Sequence, residues 1–412
     1  LSVRPAPQIG IAVAGQLLVW LLSVLLARAL GVAGFEAYAV ASALFILMAS
    51  IAPLGSEKYA LRLLPGLLVR GELGAARGYV RFGVRRTLIT AFLCAFAAGA
   101  VVASADEPMR GAVLMTCLSL PAGALAHLGV ELLTAAGKPA RALLLFRLLV
   151  PLIAAALILL TRPFGLSAAM AVGSWGLGWL VAMACMGFSL ARAAPAGWTA
   201  ATPQADVTGW RQATRPFLVH RLAMALLAQA GVLALELLGA EGAEVGAYAA
   251  AMGTAGLAVV LVTSTNRIYG RQMGLLLEAG DHAGVAEMGR SRLRWLLPAV
   301  ALFLLLIFAF SREWLSLFRP EFTDAGVTPL RLLSISTAFA MLFALAPTKL
   351  KYLGESRTLY RAVAGGAALQ LLLLIALVPH RGATGAAAAH LVSTLGMYGA
   401  MAFAARQHRM LR

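Results

Sequence analysis

Runs of about 20 apolar residues, each long enough to cross a hydrocarbon core, follow one another from near residue 9 to near residue 405 with short polar breaks between them. A backbone that enters lipid must satisfy its own hydrogen bonds, so such runs fold as helices. The pattern predicts roughly 12 spans: about 9–30, 37–55, 87–105, 111–134, 143–161 and 166–190, then 216–238, 246–265, 295–311, 326–347, 361–379 and 383–405. Composition agrees, with 61% of 412 residues hydrophobic, 12% charged and a mean hydropathy of +0.85. Soluble domains are roughly half apolar and a quarter charged. The expected fold class is therefore an all-α polytopic membrane protein.

The net charge of +17 would suit nucleic acid in a soluble chain. Here the basic residues lie in short clusters between apolar runs, where they act as topology signals and contacts to anionic membrane lipid, so no nucleic-acid partner is expected. The richer clusters hold Lys58 to Arg86, Lys138 to Arg147, Arg192 to Arg215, Arg267 to Arg294, Lys349 to Arg361 and Arg406 to Arg412. By the positive-inside rule these face the cytoplasm, which puts both termini there. Cys94, Cys117 and Cys185 sit inside apolar runs at no metal-ligand spacing, so neither a disulfide framework nor a metal site is expected. The first run has no small-residue cleavage site and is followed at once by another, so it reads as a retained helix.

The chain also repeats itself about 208 to 210 residues on. Val24 to Gly31, Gly34 and Tyr38-Ala39 are answered by Val232 to Gly239, Gly242 and Tyr248-Ala249. Gly71-Glu72 is answered by Gly280-Asp281, Arg81 by Arg290 and Arg85 by Arg294. Two tandem six-helix lobes follow, 1–205 and 206–412, broken near the polar linker that opens at Arg192. An even number of spans per lobe predicts a pseudo-two-fold axis along the membrane normal with a cavity between the lobes. In each lobe the second span leads into a basic amphipathic stretch, about 56–86 and 265–294, that reads as a surface helix on the headgroups, ending at the duplicated glycine turn.

Leu25 to Gly31 with Phe35 and Tyr38, then Pro53-Leu54-Gly55 and a basic stretch with Leu63-Leu64-Pro65, resemble the start of Wzx-type polysaccharide and O-antigen flippases. These belong to the multidrug/oligosaccharidyl-lipid/polysaccharide exporter superfamily. The resemblance is strongest over about 17–90 and extends over the rest as span count and duplication. It implies a MATE-like fold in the bacterial inner membrane. It also implies transfer of undecaprenyl-pyrophosphate-linked oligosaccharide from the inner to the outer leaflet, with polysaccharide polymerase and assembly proteins as partners. The polyprenyl tail of such a substrate stays in lipid, but its phosphates and sugars need a wet, cationic path. Arginine suits that path because its planar fork grips phosphate oxygens bidentately.

Arg28, in the last turns of the first span, is the sharpest substrate-binding candidate, since Arg within a span costs about 2.5 to 3.5 kcal/mol. Its plainer role is to snorkel to headgroups. The second lobe carries Glu236 at the matching place, which suggests an Arg28–Glu236 pair or one functional residue per lobe. His220 and Arg221, with Arg215, gather at the entry to the seventh span as a cationic mouth, and Arg147 stands at the start of the fifth; topology anchoring is the alternative for each. His127 and Glu131 share one helix face at i, i+4. With Glu236 they are the coupling-ion candidates, able to carry a proton, or simply a satisfied polar pair. Gln16, Gln229, Gln370 and His390 would bond sugars or glue helices.

The sequence carries no Walker loop and no dinucleotide fingerprint, so no cofactor and no enzymatic activity are expected. A membrane glycan polymerase would need a sizeable outer loop, and the longest here, near 312–325, is about a dozen residues. A cation-coupled multidrug exporter would need embedded carboxylates, whereas embedded arginines are the more numerous. A peptidoglycan-precursor flippase shares the substrate chemistry and stays open beside the polysaccharide reading.

Overall fold

The computed structural model describes residues 6–103 and 105–410, and all of its regular structure is helical. The side chains of Arg267, Arg271 and Arg409, and Arg412 as a whole, lie outside the described residues. In chain order the helices are α1 (Ala6–Ile51), α2 (Ser56–Val69), α3 (Leu73–Val102), α4 (Met109–Ala135), α5 (Pro139–Leu144), α6 (Val150–Thr161), α7 (Ala168–Ala193) and α8 (Val207–Leu237). They continue as α9 (Gly242–Gly256), α10 (Val259–Glu278), α11 (His282–Ala309), α12 (Ser311–Ser316), α13 (Thr323–Leu342), α14 (Ala346–Tyr352) and α15 (Ser356–Met410).

Nine helical segments among the described residues are long and apolar enough to cross a membrane. The two longest, Ile9–Val69 and Ser356–Gln407, far exceed the roughly 20 residues of one crossing. Each holds a break, at Gly31 (φ 74°, ψ −177°) in α1 and Gly382 (φ 48°, ψ −132°) in α15. The chain is thus an all-α polytopic membrane protein. The expected span at 246–265 is not one helix: α9 ends at Gly256 and α10 starts at Val259. Leu257 and Ala258, between them, keep right-handed helical dihedrals.

The basic stretches also resolve differently from a single surface helix. α2 and α10 are separate helices that end before α3 and α11 begin. The turns that end them are at Gly71 (φ 72°) and Gly280 (φ 70°), and the basic residues beyond, Arg77 to Arg86 and Arg290 to Arg294, open the long helices α3 and α11.

By packing, the chain forms two compact units. One contains Gly10–Leu22 and Ala29–Gln229; the other contains Ser23–Arg28 and the residues from Ala230 on. The first is held by an aromatic core in which Tyr79 meets Trp210 edge-on (centroids 5.3 Å, 89°) among Ala60, Leu64, Leu67 and Leu132. A second core joins α1, α3 and α4 through Phe45, Ala49, Ala91 and Leu120. In the other unit Val262, Leu296, Val300, Ala338 and Met341 join α10, α11 and α13.

Candidate functional site

Pro53, Leu54 and Gly55 turn the chain from α1 into α2. Leu54 and Gly55 both take positive φ, 53° and 83°. A Cβ on Gly55 would lie 2.6 Å from the Thr214 carbonyl oxygen and 2.7 Å from the Leu218 nitrogen, so only glycine lets α8 come this close. Tyr79 donates its hydroxyl to the Ser56 carbonyl (2.6 Å), and Arg86 donates to the Thr214 hydroxyl (2.8 Å). Together these contacts seat the first turn of α2 against α3 and α8.

The consequence is a buried acid. Glu57 is 1% exposed, and Arg221 on α8 places its Nε 3.6 Å from Glu57 Oε1. Neither carboxylate oxygen has a hydrogen-bond partner among the described residues, so the pair is an ion pair without a closed hydrogen bond. Arg221 also donates Nη2 to the Ser50 hydroxyl at the end of α1 (3.3 Å). The next residue, Lys58, pairs with Glu131 of α4. One turn earlier on α4, His127 Nδ1 bonds the Gly123 carbonyl oxygen (2.9 Å). Its ring packs edge-on against Phe146 and beside Trp179, within electrostatic reach of Arg221, Arg147 and Lys58.

The candidates of the first unit are therefore brought into one cluster, with partners the sequence does not announce. Glu131 is engaged by Lys58, and His127 by its own helix. Arg147 lies in the five-residue π turn Leu145–Leu149, well inside the apolar segment Pro139–Phe164 rather than at its start. Its carbonyl abuts Gly15 of α1, leaving no room there for a Cβ. π turns concentrate at functional sites because they release a backbone carbonyl from the helix. His220 is half-buried beside Arg221 on α8. Glu57 escapes a reading of the sequence because it sits in a basic amphipathic stretch, where an acid looks like ordinary surface charge.

Arg28 and Glu236 both fall in the other unit. The Arg28 side chain is exposed, and its Nε donates to the Leu317 carbonyl (2.6 Å). In return Arg319 donates to the Ala27 carbonyl (3.4 Å). A carbonyl partner fixes the guanidinium without neutralising it. Glu236 is half-buried in the last turn of α8.

No family model matches the chain, and no curated protein matches it in sequence. Solved structures do. A mutant of the Vibrio cholerae MATE transporter VcmN superposes with a TM-score of 0.68 at 17% identity, over 98% of this chain and 95% of that one. The chain has the MATE fold. An inward-facing multidrug-resistance MATE transporter of the MOP superfamily gives 0.71 at 12% identity, over 99% of both chains. The lipid II flippase MurJ in an inward closed conformation gives 0.67 at 11% identity, over 97% of this chain and 87% of that one. The fold is that of MOP-superfamily transporters and flippases, and at these identities the likeness speaks of fold alone.

Proposed function

We propose that this protein is a flippase of the bacterial inner membrane that moves undecaprenyl-pyrophosphate-linked oligosaccharide to the outer leaflet, working beside polysaccharide polymerase and assembly proteins. The fold is shared with drug transporters and with a lipid II flippase, so charge has to discriminate. One observation carries the reading: each carboxylate in the cluster is matched by a base, Glu57 by Arg221 and Glu131 by Lys58. An organic cation would have to compete with a built-in guanidinium or ammonium for either acid. A pyrophosphate meets a different situation at Arg28, whose partner among the described residues is the Leu317 carbonyl, which leaves the guanidinium charge unneutralised. Guanidinium forks hold phosphate oxygens bidentately and keep their charge. Lipid II, the substrate named for MurJ, offers the same pyrophosphate, so a peptidoglycan precursor is the second reading.

The test is the leaflet location of lipid-linked glycan in cells with and without this protein, read with a sugar probe that cannot enter the cytoplasm. Without the protein the lipid-linked unit should collect on the inner leaflet, and re-expression should restore it to the outer face. Arg28→Ala should lose most of that restoration at unchanged protein abundance, with Arg28→Lys recovering part. An unchanged leaflet distribution in the deletion would sink the reading.

A further inference from the structure

One offset of 209 residues carries α2–α3 onto α10–α11, as Gly71 falls on Gly280, Arg81 on Arg290 and Arg85 on Arg294. At that offset Leu64, Leu68, Ala76, Tyr79 and Val80 correspond to Met273, Leu277, Val285, Met288 and Gly289. In the first unit these residues are part of a closed core filled by the Tyr79 ring against Trp210. In the second, the corresponding residues line a cavity of about 240 Å³. The Tyr ring has become the thinner Met288 and the Val80 side chain has gone at Gly289. Met273 and Met288 are still buried with Leu345, Leu277 and Val285, yet space remains beside them, and that needs a reason because cores close to crystal density unless something occupies the space.

The polar group at the cavity supplies that reason. Arg292, where the first unit has Gly83, lines the cavity and is 3% exposed. Its Nη2 donates to Asn266 Oδ1 (3.2 Å) and the Met341 carbonyl (3.0 Å), and its Nη1 to the Leu342 carbonyl (3.3 Å). Its Cζ lies 6.0 Å from the Tyr269 ring. All of these partners are neutral, and Nε has no hydrogen-bond partner among the described residues. Glu287 on the same helix pairs with Arg290 and Arg294 instead. No described carboxylate stands within ion-pair distance of Arg292. Burial of a guanidinium against dipoles alone is costly, and an anion removes most of that cost. Lys349 and His282 line the same cavity, so its polar side carries two cations, Arg292 and Lys349, and among the described residues no carboxylate, while its remaining walls are apolar.

We propose that this cavity binds the phosphate of an anionic membrane phospholipid, with Arg292 and Lys349 facing the phosphate and the glycerol end lying against Met273, Met288 and Leu353. At about 240 Å³ it is smaller than the roughly 300 to 1,000 Å³ that holds a whole drug-sized ligand. It therefore takes the head of one lipid and leaves the chains in the bilayer. The amphipathic α10 supplies Met273 and Leu277 to the cavity wall, and helices of this kind favour the headgroup region. The proposal does not depend on which substrate is transported.

Two measurements on the purified full chain test it: lipid retained in native mass spectrometry, and thermal unfolding with added lipid. Phosphatidylglycerol should be retained at one copy and raise the unfolding midpoint, while phosphatidylcholine and inorganic phosphate should not. Arg292→Gln should weaken phosphatidylglycerol binding by about tenfold. Since that variant disturbs a buried network, Met288→Tyr provides a second arm: it restores the first unit's plug, leaves Arg292 in place, and should abolish the specific rise in a folded protein. An equal rise with inorganic phosphate would make the cavity a simple anion site and overturn the lipid assignment. An undiminished phosphatidylglycerol response in Met288→Tyr would show that lipid binds elsewhere, and would overturn it as well.

Discussion

Glu57 and Arg221 meet because a glycine turn and a close helix approach leave the acid nowhere else to go. An ion pair of this kind is asymmetric in its energetics. Removing one partner strands the other charge in a buried site, at about 3 to 5 kcal/mol, whereas replacing both costs far less. Glu57→Gln and Arg221→Ala should therefore each lower the yield of folded protein in detergent-based size-exclusion profiles, and Glu57→Gln combined with Arg221→Gln should recover much of it. The double variant is also the fair transport test for Arg221, since it separates loss of the cation from loss of the fold. Equal yields for the single and double variants would mean that the pair is not coupled.

At the scale of elements, the contact between the α1–α2 turn and α8 decides whether the cluster exists. Gly55→Ala would force a Cβ to within 2.6 Å of the Thr214 carbonyl and hold a non-glycine residue at φ 83°, a strain of about 1 to 3 kcal/mol before any helix shift. The expected outcome is a folded but transport-deficient protein in which α8 has moved off α2. A crosslink between cysteines placed at Ser56 and Phe217 should form in the parent and fade in the Gly55→Ala variant. Persistence of the crosslink at full strength would show that the approach tolerates a methyl group.

For the whole molecule, a fold common to drug transporters and lipid flippases makes substrate charge the discriminating property. Cells lacking this protein should keep parental resistance to cationic dyes, measured as minimum inhibitory concentration; a marked rise in sensitivity would favour the drug-exporter reading. Energy coupling is a separate property, and His127, Glu131 and Glu236 are its candidates. Glu131→Gln removes the partner of Lys58 and should flatten the dependence of glycan translocation on external pH. An unaltered pH response would leave Glu131 with a structural role only.

Hydropathy, the helical class, the tandem repeat and the glycine turns at Gly71 and Gly280 are legible from the residues alone, because lipid forces an apolar run into helix and a repeat is a property of the string, whereas the number of spans is not, since 246–265 divides into two helices. The clustering of His127, Glu131, Arg147 and Arg221 is only half legible: each can be singled out as costly in a membrane, but its partner cannot. Lys58 for Glu131 and Glu57 for Arg221 depend on how α2, α4 and α8 pack, and packing is set by side-chain shapes distant in sequence. The same holds for Arg292 and its cavity. The differences between the repeats, Met288 for Tyr79, Gly289 for Val80 and Arg292 for Gly83, are in the string, but only the three-dimensional filling by Tyr79 and Trp210 in one unit shows what they leave unfilled in the other.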